Sequence, residues 1–199
     1  MTNLCKELGN ALFEEKNKNK AIRIAKNIDN EIRKNDSKFA RWERKRQTLK
    51  CLGFDLKYPF YIPSIRKCVE IIYYFCNELG LKIDDFNKML EKQPALLRYS
   101  SKNYIEPKVK YLQKIGFSLD EIREYIKNNP TILTYSTPRF ILRIEYAISK
   151  GHEIKSLSDV FSLLYPSDKK FIEKLKELGF NTSLEEYSRF RKEIATLIF

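Results

Sequence analysis

Apolar positions recur along this chain at spacings of three and four, the mark of helices that bury one face. In the clearest stretch, Val109, Leu112 and Ile115 form one such stripe, and Ile122, Tyr125 and Ile126 form the next. Pro107 predicts the start of the first helix, where its missing N–H costs nothing. Gly116 predicts its end, as the residue most at ease in a left-handed conformation. Ser118 with Glu121 reads as an S-x-x-E capping box for the second helix, and Pro130 stops it. Residues 131–135 then have room only for a turn or a 3-10 segment.

The same unit recurs. Pro94, Pro130 and Pro166 are spaced 36 residues apart, and a shift of 36 lays residues 75–100 on 111–136 without a gap. Gly80 falls on Gly116, Asp84 on Asp120, Leu97 on Leu133, Tyr99 on Tyr135 and Ser100 on Ser136. A fixed period of this length in a helical pattern predicts stacked units, each burying a face against its neighbours. Upstream, Pro63 precedes an apolar helix through Val69, Ile72 and Phe75. Downstream, Pro138 opens a helix that ends at Gly151, and a second one runs through Leu157 and Val160 to Pro166. Residues 168–178 form a further helix closed by Gly179, and Thr182 with Glu185 begins the last. The expected fold is thus an all-α short α-solenoid, right- or left-handed, with two helices plus a short 3-10 helix per unit. Its units lie near 63–100, 101–136, 137–167 and 168–199, within a repeat domain over 61–199.

Residues 1–60 have another character and are read as a basic helical N-terminal cap. Helical periodicity covers Ala21 to Ile32 and again Ser37 to Leu52, with a polar turn over residues 34–37 between them. These 60 residues hold 15 lysines and arginines against 8 acids. The whole chain of 199 residues carries 38 basic and 26 acidic residues, a net charge of +12. That excess implies an anionic partner, since lysine and arginine that neutralise phosphates release counterions and bind strongly. No apolar run reaches the roughly 20 residues that cross a bilayer, so no membrane role is expected.

Candidate chemistry narrows the function further. Cys5, Cys51, Cys68 and Cys76 form no C-x-x-C pair, and His152 is the only histidine, so neither a metal site nor a cofactor is expected. No nucleophile elbow, phosphate loop or H-E-x-x-H motif is present, and Asp84 with Asp85 sits at a helix start, complementing the helix dipole. The expectation is a binding protein, not an enzyme. Basic residues near the unit junctions are the candidate contacts: Arg98, Lys102, Lys108, Arg139, Arg143, Lys169 and Lys170. Arg41, Arg44 and Lys45 join them from the N-terminal basic helix. Tyr99, Tyr135 and Phe171 share one offset from their prolines and are assigned to packing between units.

The run Pro94-Ala-Leu-Leu-Arg-Tyr-Ser-Ser-Lys-Asn-Tyr-Ile-Glu-Pro107-Lys-Val-Lys-Tyr-Leu-Gln-Lys-Ile-Gly116-Phe-Ser resembles the repeat of the mitochondrial transcription termination factors, the mTERF family. The resemblance spans about residues 63–192. It implies a helical superhelix that binds double-stranded DNA or RNA through a positively charged groove. It also implies work in transcription termination, transcription regulation or ribosomal RNA and ribosome assembly, in a mitochondrion or plastid. Residues 1–30 hold no clear transit peptide, which makes the cytoplasm the fallback location. A monomer with backbone contacts to nucleic acid and no small-molecule substrate is the main expectation. A protein–protein scaffold of the same architecture, for an acidic partner, is the alternative.

Overall fold

Serine hydroxyls start most helices in this chain, and glycines in the left-handed region end several of them. The structure, a computed structural model, describes residues 2–34, 37–56 and 62–198. Among the described residues there are eleven α-helices and no strand. The N-terminal group is α1 (Thr2–Gly9), α2 (Lys18–Arg33) and α3 (Lys38–Cys51). Two pairs follow, α4 (Ile65–Tyr73) with α5 (Ile83–Lys92), and α6 (Glu106–Lys114) with α7 (Leu119–Asn128). The remaining two pairs are α8 (Thr137–Ser149) with α9 (Leu157–Leu164), and α10 (Asp168–Glu177) with α11 (Leu184–Ile198). The polar turn expected over 34–37 lies partly outside the described residues.

The 36-residue period is real in space. Pro94–Arg98 and Pro130–Thr134 form matching 3-10 turns that pack on each other. Bonds join residues one period apart: the Lys92 ammonium donates to the Asn128 carbonyl at 3.0 Å, Tyr146 pairs with Thr182, and Lys150 pairs with Glu186. The Ser118–Glu121 capping box forms as the spacing predicts, with Ser118 Oγ accepting the Glu121 N–H at 3.2 Å. Gly116 takes a φ of 108°, where a side chain would be strained.

Three local expectations change. The helix around Pro107 starts earlier, at Ser101, capped by Ser100; a π turn over Ser101–Ile105 leads into α6. The wider turn lets Glu106 N–H reach back five residues to the Ser101 carbonyl, just ahead of a proline that has no N–H to give. The last helix is capped by Ser183, whose Oγ accepts the Glu186 N–H at 3.1 Å, because Thr182 is buried against Tyr146. Pro166 opens no 3-10 turn: Ser167 caps α10 at once, and the two arginines of α8 hold the Pro166 carbonyl.

One apolar core runs from Leu8 through Ile28, Leu49, Phe75, Phe86, Leu112 and Ile126 to Leu164, so the N-terminal helices and the first pairs share it. A smaller cluster around Tyr146, Phe171, Leu175 and Tyr187 joins α8 to the last pair. Its rings meet edge-on or tilted, with Tyr146 and Tyr187 centroids 4.9 Å apart.

Candidate nucleic-acid interface

Neighbouring first helices run in the same direction. The Thr137 hydroxyl donates to the Tyr104 carbonyl near the starts of α8 and α6, and Tyr111 donates to Glu145 further along at 2.9 Å. Arg139 and Arg143 likewise tie the first half of α8 to Pro166 and Asp168 at the start of α10. These contacts set the N-termini of α6 and α8 side by side with the start of α10 next to α8, and α4 holds the corresponding place in the 36-residue period.

Each of these ends carries a serine cap followed by a cation. Ser64 Oγ accepts the Lys67 N–H at 3.3 Å, and Ser100 Oγ accepts the Asn103 N–H at 3.2 Å. Ser136 and Ser167 do the same for Arg139 and Lys170, both at 3.4 Å. The cations are Arg66 and Lys67 at the first end, Lys102 at the second, Arg139 at the third, and Lys169 and Lys170 at the fourth. Lys67, Lys102, Lys169 and Lys170 are exposed, and Arg66 is half-buried. Helix N-termini and exposed cations both favour phosphate.

The ten residues expected from sequence divide. Lys102, Lys169 and Lys170 stand on this edge, and Arg98 is exposed at the end of the 3-10 turn just before it. Arg139 is half-buried; one guanidinium nitrogen donates to the Leu164 and Pro166 carbonyls at 3.0 and 2.5 Å. Arg41, Arg44 and Lys45 are half-buried along α3, with Lys45 Nζ 3.2 Å from the Ile62 carbonyl.

Lys108 and Arg143 are corrections, because both side chains are fully buried and cannot meet a phosphate. Lys108 Nζ donates to the Leu133 carbonyl at 2.7 Å and sits 3.4 Å from the centre of the Tyr104 ring. Burial pulls its pKa down to about 7. Arg143 closes the end of α9 by donating to the Leu163, Leu164 and Pro166 carbonyls, and it pairs with Asp168. Burial pushes the Asp168 carboxyl up, but its bond and charge contact with Arg143, helped by Arg191 and Arg139, prevail and hold it below the usual range. The three aromatic rings serve packing: Tyr99 stacks on Tyr104 at 4.3 Å, Tyr135 meets Phe161 edge-on, and Phe171 is fully buried.

Sequence reasoning missed Arg66 and Lys67, and it also missed Arg33 and Lys38. The first two had a signal: Ser64 precedes Ser100 by the same 36 residues that separate Ser100 from Ser136. Arg33 ends α2 and Lys38 begins α3, and with Arg41, Trp42 and Lys45 they line a cleft of about 520 Å³. Among the described residues no cluster of His, Cys, Asp or Glu has a metal-binding arrangement, and no helix is long and apolar enough to cross a membrane.

Stacked helix pairs joined by 3-10 turns, with a basic row of helix ends along one edge, define an α-helical repeat protein. The mTERF family model matches residues 6–167, and the chain belongs to that family. The match starts well ahead of residue 63, where the resemblance seen in the sequence begins. No curated protein and no solved structure matches the chain.

Proposed function

We propose that this protein binds nucleic acid along the row of first-helix N-termini, by contacts to the phosphate backbone and without covalent chemistry. The observation that carries this reading is the recurrence of a serine-capped helix end with a basic side chain at α4, the helix over 101–114, α8 and α10. Successive ends follow a backbone as it passes from unit to unit, with residues 1–60 as a basic cap on the repeats of 61–199. Such contacts fix position and carry little sequence information. Family membership supports a role in organellar transcription termination or regulation, or in ribosomal RNA handling and ribosome assembly.

Fluorescence anisotropy with duplex DNA, duplex RNA and single-stranded RNA, each at several salt concentrations, tests this. The four exposed lysines of the row imply a slope of log K against log salt of about −4 on duplex DNA, at about −0.9 per phosphate. Preference among the three ligands separates the transcriptional role from the RNA roles. Failure to bind any of them at low salt refutes the reading and turns the search to an acidic protein partner.

A further inference from the structure

The cleft between α2 and α3 has a composition that the row of helix ends lacks. Arg33, Lys38, Arg41 and Lys45 line it, and among the described residues one carboxylate stands in its wall. That carboxylate, Asp29, accepts the Ile65 N–H at 2.7 Å and the Arg66 N–H at 3.0 Å, so it caps α4, and four cations outnumber it in the cleft. Arg33, Lys38 and Arg41 form no ion pair among the described residues. At the rim, Trp42 lines the cleft and Phe39 lies one turn earlier on the same helix, their ring centroids 6.1 Å apart. Phe39 is 73% exposed.

From this juxtaposition we infer that the cleft holds an unpaired nucleotide, its phosphate among Arg33, Lys38 and Arg41 and its base stacked against Phe39 and Trp42. The inference rests on the nucleic-acid reading above and specifies the ligand class at the N-terminal end. Charge alone fits any anion, but the rings narrow the choice. Base–aromatic stacking is tolerant of sequence, because every base has a flat π-face to offer. A paired base hides both faces within its own stack, whereas an unpaired one presents them. An acidic peptide would satisfy the cations and leave Phe39 in water. The volume of about 520 Å³ falls within the range of small-ligand pockets.

Trp42 is the only tryptophan in the chain, so its fluorescence reports on this cleft alone. The full chain is titrated with a single-stranded oligo-dT, an abasic strand of equal length, a blunt duplex and polyglutamate, with anisotropy read in parallel. The oligo-dT is expected to quench Trp42 saturably, and the other three to leave it unquenched even where they bind. Phe39→Ala, at an exposed site that leaves the core intact, is expected to weaken oligo-dT binding roughly tenfold without lowering Tm. Arg41→Ala is expected to reduce the single-strand salt slope by about 0.7.

Oligo-dT binding with unquenched Trp42 and an unaffected Phe39→Ala variant overturns the cleft assignment and leaves the row of helix ends standing. Quenching by the abasic strand overturns the base contact, and quenching by polyglutamate replaces the nucleotide with an acidic protein. Absence of binding to every nucleic acid overturns the functional reading itself.

Discussion

Replacing Lys108 with methionine removes a charge from the interior while keeping most of the side-chain volume. In the wild type the ammonium has one carbonyl acceptor, on Leu133, and the face of Tyr104, and burial pulls its pKa from 10.5 to about 7. At about 1.36 kcal/mol per unit, that shift corresponds to a cost of about 5 kcal/mol for the folded, charged form. The contact with the Tyr104 ring returns about 1–2 kcal/mol. Between pH 7 and 10.5 the unfolded chain keeps a proton that the folded chain gives up, so this group makes stability rise with pH across that window. Below pH 7 both states hold the proton and the penalty is present in full. Methionine relieves the penalty but leaves the Leu133 carbonyl without its donor, at a cost of about 1–3 kcal/mol. The variant is therefore expected to be about 1–2 kcal/mol more stable than wild type at pH 6, an advantage that disappears by pH 9, where the wild-type penalty has fallen to about 2 kcal/mol. Urea unfolding at pH 6, 7.5 and 9 reads this difference, with Lys102→Met as the exposed control. Parallel pH profiles for wild type and Lys108→Met would refute the reasoning, since they would mean that Lys108 keeps its proton throughout the range.

Other consequences follow from the same packing. Arg143→Met leaves the Leu163 carbonyl without its donor, the Leu164 and Pro166 carbonyls to Arg139 alone and Asp168 to Arg191 alone, so it is expected to cost about 2–4 kcal/mol and lower Tm by about 10 °C in a thermal melt. Asp29→Ala removes the cap from the first two N–H groups of α4 and is expected to cost about 1–2 kcal/mol, with Asp29→Asn recovering part of it. Burial pushes the Cys68 thiol up to about 12, so a thiol reagent is expected to label exposed Cys51 in the native protein and Cys68 only after unfolding.

The repeat was legible because its punctuation is chemical: proline cannot continue a helix, glycine ends one, and a serine–glutamate pair begins one. Those signals located the turn at Gly116 and the start of α7. The burial of Lys108 and Arg143 was not legible from residue type, since lysine and arginine are rarely found fully buried. Their neighbours held the missing signal. On a helix Lys108 lies beside Tyr104, Ile105, Tyr111 and Leu112, and Arg143 beside Phe140, Tyr146 and Ala147, so each sits in the middle of an apolar stripe. The cleft between α2 and α3 was hidden for a different reason. It forms only when two helix ends meet Ile62 and Ser64 from further along the chain. The last unit hid its cap because its turn is short: Ser167 follows Ser136 by 31 residues in place of 36.

The central claim is that the edge of first-helix N-termini holds phosphates. Its most direct test compares the salt dependence of duplex DNA binding for the wild type and a variant carrying Lys102→Glu, Lys169→Glu and Lys170→Glu. All three side chains are exposed, so the thermal melt is expected to stay within a few degrees of wild type. The account predicts a wild-type slope of about −4 and a slope in the variant smaller in magnitude by about 3. An unchanged slope in a folded variant would contradict it.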